Sequence, residues 1–392
     1  MDSDQLAALL TPDGAEALRA AMEVADRDPL AASSALRSRS IPPELAATAL
    51  TQAVLRRRAT TKFGADASAL YFTRAGLEQA TRSEVAARRA ARLAASGART
   101  VADLGCGIGA DTIAFARAGL RVLAVDADPV TAAVAAANVA ALGLAERVTV
   151  AARTAEEVAL DDVDAVFCDP ARRTTAGRRV FDPTAFSPPW DFVIGLTERV
   201  PRTVLKLAPG IDHALVPGGA EAEWVSVRGD VVEAAFWCGP LARVPRRATL
   251  LRDGEVHELT GSGEERAPVG PVRRYLYDPD GAVVRAHLVA EFAATVDGTL
   301  ADPEIAYVYA DSPLPTPYGR CLEVLEVLPF SLKRLRSALR TRGVGAVTIA
   351  KRGSAVDVER LRRDLRLSGD AELTVVLTRV AGAQTALLCA PV

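Results

Sequence analysis

The sequence predicts an α/β fold: a mostly parallel sheet at its centre, a helical region before it and a smaller α+β domain after it. Three observations carry this. From residue 99 to residue 207 short apolar runs alternate with helix-length segments. Residues 1–75 show only Ala- and Leu-rich helical segments, broken at Pro12, Pro29 and Pro42-Pro43. After residue 222 the helices stop, and strand–helix alternation returns only in the last hundred residues. Strands alternating with helices of this length form right-handed βαβ units and hence a parallel sheet.

Each element has its own reason. "GLEQATRSEVAARRAARLAASG" (76–97) reads as one amphipathic helix with Val85, Ala86, Ala90 and Leu93 on its apolar face and Gly97 as its stop. "RTVADL" is a buried strand, "ADTIAFARAG" a helix, "RVLAVD" a second strand, and "DPVTAAVAAANVAALG" a helix with Pro129 in its first turn. "RVTVA", "DAVFCD" and "RTVLKL" (202–207) supply three more strands. Strand-like "EWVSVRG", "EAAFWCG", "RATLLRDG" and "EVHELTG" follow, then the polar, Gly/Pro-rich "GSGEERAPVGP" (261–271), which reads as a boundary. The end runs "CLEVLEVL", helix 331–342, "GAVTIAKRG", helix 355–367, "ELTVVLTRV" and "TALLCAPV", a β-α-β-α-β-β order. The expected domains are a helical region at 1–75, a sheet domain at 76–265 and an α+β domain at 272–392.

Bulk composition narrows the function classes. The chain has 392 residues, 49% apolar and 24% charged, as in a soluble globular protein. Its 47 basic and 49 acidic residues nearly cancel, so the whole chain is not a polyanion binder by net charge. Only four cations are lysine, which together with the heavy use of alanine fits a GC-rich genome. The five cysteines lie far apart with no CxxC, and the three histidines have no metal-ligand spacing. Neither a disulfide framework nor a metal site is expected. The N-terminus opens acidic at Asp2 and Asp4 without an apolar signal core, and no uncharged run reaches the about 18 residues that would span a bilayer. A cytoplasmic protein without membrane or metal is expected; the sequence sets no oligomeric state.

"VADLGCGIGADT" (101–112) is the strongest local signal, a Gly-rich turn between a strand and a helix. Gly105-x-Gly107-x-x-Ala110 fits a dinucleotide fingerprint, with a pyrophosphate on the helix N-terminus. Asp103-x-Gly105-x-Gly107-x-Gly109 fits an S-adenosylmethionine loop. An acid at 103 attracts a sulfonium and an ammonium and repels a pyrophosphate, which favours S-adenosylmethionine over a nicotinamide or flavin. Asp126 closes the second strand, where a carboxylate accepts from ribose hydroxyls; this serves either cofactor. A turn using glycines for packing alone is the plain alternative.

"VADLGCGIGADTIAFARAG…VLAVDADP…AAANV" resembles the Rossmann-like sheet of class I S-adenosylmethionine-dependent methyltransferases. "GLEQAT" (76–81), "CDPARR" (168–173), "LKLAPGIDH" (205–213) and "LEVLEVLPFSLKRLR" (322–336) narrow the resemblance to the bacterial family with a C-terminal THUMP-like domain. It extends over about residues 60–392. The resemblance implies a cytosolic methyltransferase, and its THUMP-like part implies RNA binding by analogy. By position Asp103, Gly105, Gly107 and Gly109 match the cofactor loop and Asp126 the ribose-binding acid. "VAARTAEEV" would run past the adenine; it lacks the common Asp, leaving Arg153 and Thr154 as edge contacts.

Ligands of open α/β sheets bind outside the carboxyl ends of the strands, so "DAVFCD" aims Asp169-Pro170 at the reacting methyl. Many amino-group methyltransferases place an Asn or Asp, two prolines and an aromatic ring there. Here Arg172 stands where the ring is expected. Arginine pairs bidentately with phosphate or stacks on a base, and "ARRTTAGRR" (171–179) holds four arginines and no acid. An RNA backbone crossing this edge, touching Arg172, Arg173 and Arg178, is the leading reading. A solvated loop whose arginines pair with Asp161, Asp162 and Asp182 is the plain one. Lys206 joins the same edge, to neutralise phosphate, hold substrate or pair with an acid. "SPPW" (187–190) reads as a helix start capped by Ser187, with Trp190 in packing. Cys168 lacks the context of a nucleophile.

Residues 320–366 hold twelve cations and five acids. Helix 331–342, capped by Ser331, would bury Leu332, Leu335 and Leu339 and expose Lys333, Arg334, Arg336, Arg340 and Arg342. The next helix would show Arg360, Arg362, Arg363 and Arg366, with Lys351 and Arg352 between the two. A one-sided basic face is the footprint of a nucleic-acid binder, or an ordinary solvated surface. The expected function is methylation of a nucleotide in structured RNA, with Asp169, Pro170, Arg172 and Lys206 at the acceptor. The alternatives are methylation of a small anionic metabolite, and RNA binding on a non-catalytic methyltransferase fold.

Overall fold

In the computed structural model, residues 1–172 and 186–392 are described. Their contacts group the chain into two units: Met1–Leu207 with Ile211–Ala220 and Ala235–Arg243, and Ala208–Gly210 with Glu221–Ala234 and Val244–Val392. The Gly/Pro-rich stretch at 261–271 therefore falls inside the second unit.

The first unit opens with helices α1 (Ser3–Leu9), α2 (Pro12–Val24), α3 (Pro29–Arg37) and α4 (Pro43–Phe63). The prolines that break the helical pattern are starts as well as stops. Pro12, Pro29 and Pro43 each open a helix, where the missing N–H costs nothing. Thr11 and Asp28 cap two of them with their side chains. A core of Leu9, Leu18, Val24, Leu36 and small alanines joins the helices.

The stretch expected to be one helix at 76–97 is two, α5 (Arg74–Gln79) and α6 (Ser83–Ala95). The backbone turns extended at Ala80, with ψ 137°. The break turns Thr81 inward, where its hydroxyl donates to Asp111 at 2.6 Å. Periodicity could not register that partner, thirty residues away in sequence.

The parallel sheet follows: β1 (Thr100–Leu104), α7 (Ala110–Arg117), β2 (Arg121–Asp126), α8 (Pro129–Ala141), β3 (Val148–Ala152) and β4 (Ala165–Cys168). Short pieces β5 (Ala171–Arg172) and β6 (Phe186–Ser187) pair antiparallel; α9 (Trp190–Arg199) and β7 (Thr203–Leu207) complete the run. Strand order is β7-β4-β1-β2-β3, all parallel. Ser187 is not a helix cap: it pairs with Ala171, and α9 begins after both prolines with Pro189 at its N-cap. Trp190 packs on Phe186, ring centroids 5.6 Å apart.

In the second unit β8 (Glu221–Val227) and the first part of β9 (Asp230–Trp237) precede β10 (Arg246–Arg252) and β11 (Glu255–Gly261). Strand β10 runs parallel to β8 and antiparallel to β11. Next come β12 (Tyr275–Pro279), α10 (Gly281–Arg285), α11 (Val289–Thr295), β13 (Thr299–Leu300), β14 (Val308–Ala310) and β15 (Gly319–Pro329). The chain ends with α12 (Leu332–Thr341), β16 (Val344–Lys351), α13 (Val358–Leu365), β17 (Ala371–Val380) and β18 (Ala383–Pro391). This sheet has the order β13-β14-β12-β15-β18-β17-β16. Alternation along β17 and β18 feeds two cores. Val375, Leu377, Ala386 and Leu388 meet Leu335, Leu339, Leu361 and Leu365 of the helices. Val376, Leu387 and Cys389 meet Leu276, Tyr307 and Tyr309 on the other face. Two helix ends differ from expectation. Ser331 holds the N-cap position of α12 without a side-chain bond, and Leu332 is only half-buried. Helix α13 starts three residues late, at Val358, after the N-cap Asp357, whose carboxylate accepts the Arg360 N–H at 3.0 Å. Among the described residues no helix is long and apolar enough to cross a membrane.

Candidate cofactor and acceptor site

The order β7-β4-β1-β2-β3 reverses direction between β1 and β4. Such a switch leaves a crevice at the carboxyl ends of the two strands, where open sheets bind ligands. The turn after β1 and the turn after β4 meet there. Gly105 sits at φ +87°, and a Cβ on it would stand 2.9 Å from the carbonyl oxygen of Asp169. Only glycine permits this approach of the two backbones. The amides of Gly105 and Cys106 both donate to the Val125 carbonyl at 2.9 Å, which pulls the turn toward β2. Gly109, at φ +90°, is the N-cap of α7.

Asp126 ends β2. Its Oδ2 accepts the Gly107 N–H at 3.0 Å and its Oδ1 the Asp128 N–H at 2.9 Å, while burial raises its carboxyl above the ordinary range. A carboxylate oxygen has a second lone pair, so both remain open to a further donor. Thr154, exposed just past β3, is engaged in a reciprocal cap with Glu157.

Beneath the turn lies a buried polar group that periodicity does not reveal. Asp103 is fully buried; Thr112 donates to its Oδ2, and its Oδ1 has no hydrogen-bond partner among the described residues. Burial, with Asp111 and Asp169 nearby, pushes its carboxyl up to about 8. A buried acid with an orphaned oxygen suits a ligand that brings positive charge. Asp111 is also buried and is doubly held, by the Arg89 guanidinium and by the Thr81 hydroxyl. Arg89 lies over the Phe167 ring at 4.7 Å. In sequence Arg89 reads as part of a charged helix face; only tertiary packing buries it. Asn138 on α8 was likewise silent. Its amide takes the Tyr71 N–H at 2.6 Å and donates to the carbonyls of Tyr71 (3.1 Å) and Ile108 (2.9 Å), tying the helical leader to the glycine turn.

On the acceptor side Asp169 follows β4 and is bonded to Leu104 through its amide at 3.2 Å. Lys206 of β7 reaches it: Nζ stands 2.5 Å from Oδ2. Of the readings open to Lys206, the structure displays the paired one. Pro170 is buried and leads directly into the short β5. Arg172 lies in β5, paired with Phe186 through the backbone, while Arg173, Arg178 and Asp182 lie outside the described residues. Cys168 is fully buried, which pushes its thiol well above the ordinary range and disfavours the thiolate a nucleophile needs.

The basic residues of the second unit divide in two. Arg336 donates to the Asp364 carbonyl and so closes the end of α13. Arg352 is pinned to Asp278 at 2.9 Å and to the Pro279 carbonyl at 3.2 Å, and Lys351 donates to the Val356 carbonyl at 2.8 Å. Arg342 pairs with Glu326 at 2.8 Å. Lys333, Arg334, Arg340, Arg363 and Arg366 are exposed and hold no ion pair among the described residues.

Against known proteins, a family profile described as "Methyltransferase domain" matches residues 101–178, and one described as "THUMP domain-like" matches 319–391. A profile for a domain of unknown function matches 2–59. Proteins of two Mycobacterium tuberculosis strains, CDC 1551 / Oshkosh and H37Rv, are each 40% identical over 357 residues, 86% of this chain and 95% of theirs. Both are described as uncharacterised S-adenosylmethionine-dependent methyltransferases. The chain belongs to the S-adenosylmethionine-dependent methyltransferases. A Porphyromonas gingivalis W83 protein, described provisionally as a methyltransferase, has a crystal structure sharing the fold across nearly the full length. Its TM-score is 0.75 at 24% identity, covering 95% of this chain and 96% of that one. The methyltransferase sheet is thus the Rossmann-like one expected, preceded by helices and followed by a THUMP-like domain.

Proposed function

We propose that this methyltransferase acts on structured RNA, with S-adenosylmethionine at the β1–α7 turn and the acceptor nucleotide at Asp169. Bound there, S-adenosylmethionine supplies an electrophilic methyl on a sulfonium. In this reading Gly105, Gly107 and Gly109 leave room for the ligand, Asp103 faces its positive end, Asp126 takes the ribose hydroxyls and Thr154 borders the base. Support for the cofactor side comes from the orphaned Oδ1 of buried Asp103 beside a turn that glycine alone can form.

Asp169 orients the acceptor. Lys206 holds Oδ2 and keeps the carboxylate in place, and in this reading Oδ1 receives an acceptor N–H or O–H. The Pro170 carbonyl is a second acceptor for the same group, and Arg172 and Arg173 hold phosphate. Positioning a nucleophile in line with an already activated carbon carries much of such a reaction.

The observation that carries the RNA reading is the exposed cationic face of α12 and α13. Five cations there hold no ion pair among the described residues. Lys333 and Arg340 remain RNA contacts; Arg334, Arg363 and Arg366 join them. Arg336, Lys351 and Arg352, being bonded within the domain, shape the face rather than read RNA.

The test is transfer of tritiated methyl from S-adenosylmethionine to total RNA of a strain lacking the protein, followed by nucleoside mass spectrometry. One methylated nucleoside, absent from that strain and restored by the protein, is expected. Label in a small anionic metabolite and none in RNA would overturn the RNA reading. Salt-dependent RNA binding with no label anywhere would leave a non-catalytic RNA-binding fold.

A further inference from the structure

We infer that Lys62 and Gly76 are positioning residues of the cofactor site: through them α4 and α5 hold the glycine-rich turn in its binding shape. This rests on the reading that the turn takes S-adenosylmethionine. It also gives the "GLEQAT" stretch a task that the proposed chemistry leaves unassigned.

Helix α5 has only six residues, too few to be stable alone. Its carbonyl end is held from outside. Lys62, in the last turn of α4, donates from Nζ to the carbonyl oxygens of Leu77 (2.8 Å), Glu78 (2.7 Å) and Ala80 (2.9 Å). An ammonium has three donors, and all three go to one short stretch of backbone whose carbonyls lack helical partners. Burial and the charges of Arg82 and Lys206 oppose this cation, lowering Lys62 to about 8. A cation retained against both has its compensation in those three bonds.

Helix α5 also presses on the cofactor turn. A Cβ at Gly76 would lie 2.4 Å from Cγ2 of Ile108, the residue between Gly107 and Gly109. Ile108 is buried, and Asn138 bonds its carbonyl while also binding both backbone groups of Tyr71. After α5, Thr81 donates to Asp111 in the first turn of α7. Residues 71–81 are thus tied to the turn at Ile108 and to α7 at Asp111, and Lys62 adds three bonds at the carbonyl end of α5 between those ties. Loosening it lets the turn relax without touching any group that faces the ligand.

The test is calorimetric titration of the full chain with S-adenosylhomocysteine, well below each variant's melting temperature. Lys62→Met is expected to weaken binding about tenfold, the scale of one charged hydrogen bond, and Lys62→Arg to recover part of the loss. Gly76→Ala is expected to weaken it too, and Gly76→Ala with Ile108→Ala to bind more tightly than Gly76→Ala alone, because the closest clash, with the Ile108 side chain, is gone and only the one with Thr73 Oγ1, 2.8 Å from the Cβ, remains. If Lys62→Met does not fold, the Gly76 pair decides. Lower melting temperatures with wild-type affinity in Lys62→Met and Gly76→Ala would make both residues merely structural and overturn the inference. Wild-type protein that gives no heat with S-adenosylhomocysteine would instead overturn the cofactor reading beneath it.

Discussion

The glycine turn after β1 and the surface of α12 and α13 both gather charge, and they hold it in opposite ways. Around the turn Asp103, Asp111 and Arg89 are buried, and Arg89 pairs with Asp111. On the two helices and at the C-cap of α13 five cations stand in solvent without an ion pair among the described residues. A buried charge depends on one partner and loses much when that partner goes. An exposed charge acts through the field it shares with its neighbours, so each is worth little and salt weakens all of them. The first region is therefore specified residue by residue, the second by composition.

The contrast breaks most visibly at Arg89. Replacing it by Met leaves Asp111 buried and uncompensated, and denaturant unfolding should show a loss of about 3–5 kcal/mol. A loss under about 1 kcal/mol would mean that this pair behaves like a surface one. Asp103→Asn should weaken S-adenosylmethionine binding by about tenfold to 100-fold, the range for a hydrogen-bonded charge, with folding retained. Unchanged affinity would remove Asp103 from the site.

A proton should accompany the same acid. In the free protein Asp103 is raised to about 8 from 3.8, with Asp111, Asp169, Arg89 and Thr112 around it. The folded chain thus keeps a proton that the unfolded chain has lost, so this group's contribution to stability declines as pH rises from about 4 toward 8. A cationic ligand favours the ionised form, so its affinity should climb with pH up to about 8, at most about tenfold per unit, and then level off. Calorimetry across pH checks this, and Asp103→Asn should abolish the slope.

On the helices the effects should be small and salt-sensitive. Arg340→Ala or Lys333→Ala should weaken RNA binding and lower the salt slope by about one each. Arg352→Ala, which releases Asp278, should lower the melting temperature and leave the slope alone. A slope that responds to Arg352 and not to Arg340 would reverse the assignment of the two groups.

The same contrast explains what could be read from the residues alone. The five strands of the parallel sheet, the α7 and α8 starts and the glycine turn, unlike β12, β13 and β14, which were not foreseen, rest on local periodicity and turn chemistry, and they lie where expected. The break between α5 and α6 does not, because Thr81 turns toward a carboxylate on a different helix. Lys62 and Asn138 resemble ordinary helix residues, since their partners are backbone carbonyls that only the fold brings near. Asp103 was legible as an acid at the turn, but its full burial was not. The basic surface was legible as a count of arginines. Which of them are spent inside the domain, as Arg336 and Arg352 are, depends on Asp364 and Asp278 lying beside them.

The central claim is that the β1–α7 turn binds S-adenosylmethionine. Its most direct measurement is calorimetry of the wild-type chain at pH 7 with that compound, with S-adenosylhomocysteine and with a nicotinamide dinucleotide. The account predicts one saturable site for each of the first two, proton release with the first, and no heat from the dinucleotide. Tight binding of the dinucleotide, with silence from both sulfur compounds, would contradict it.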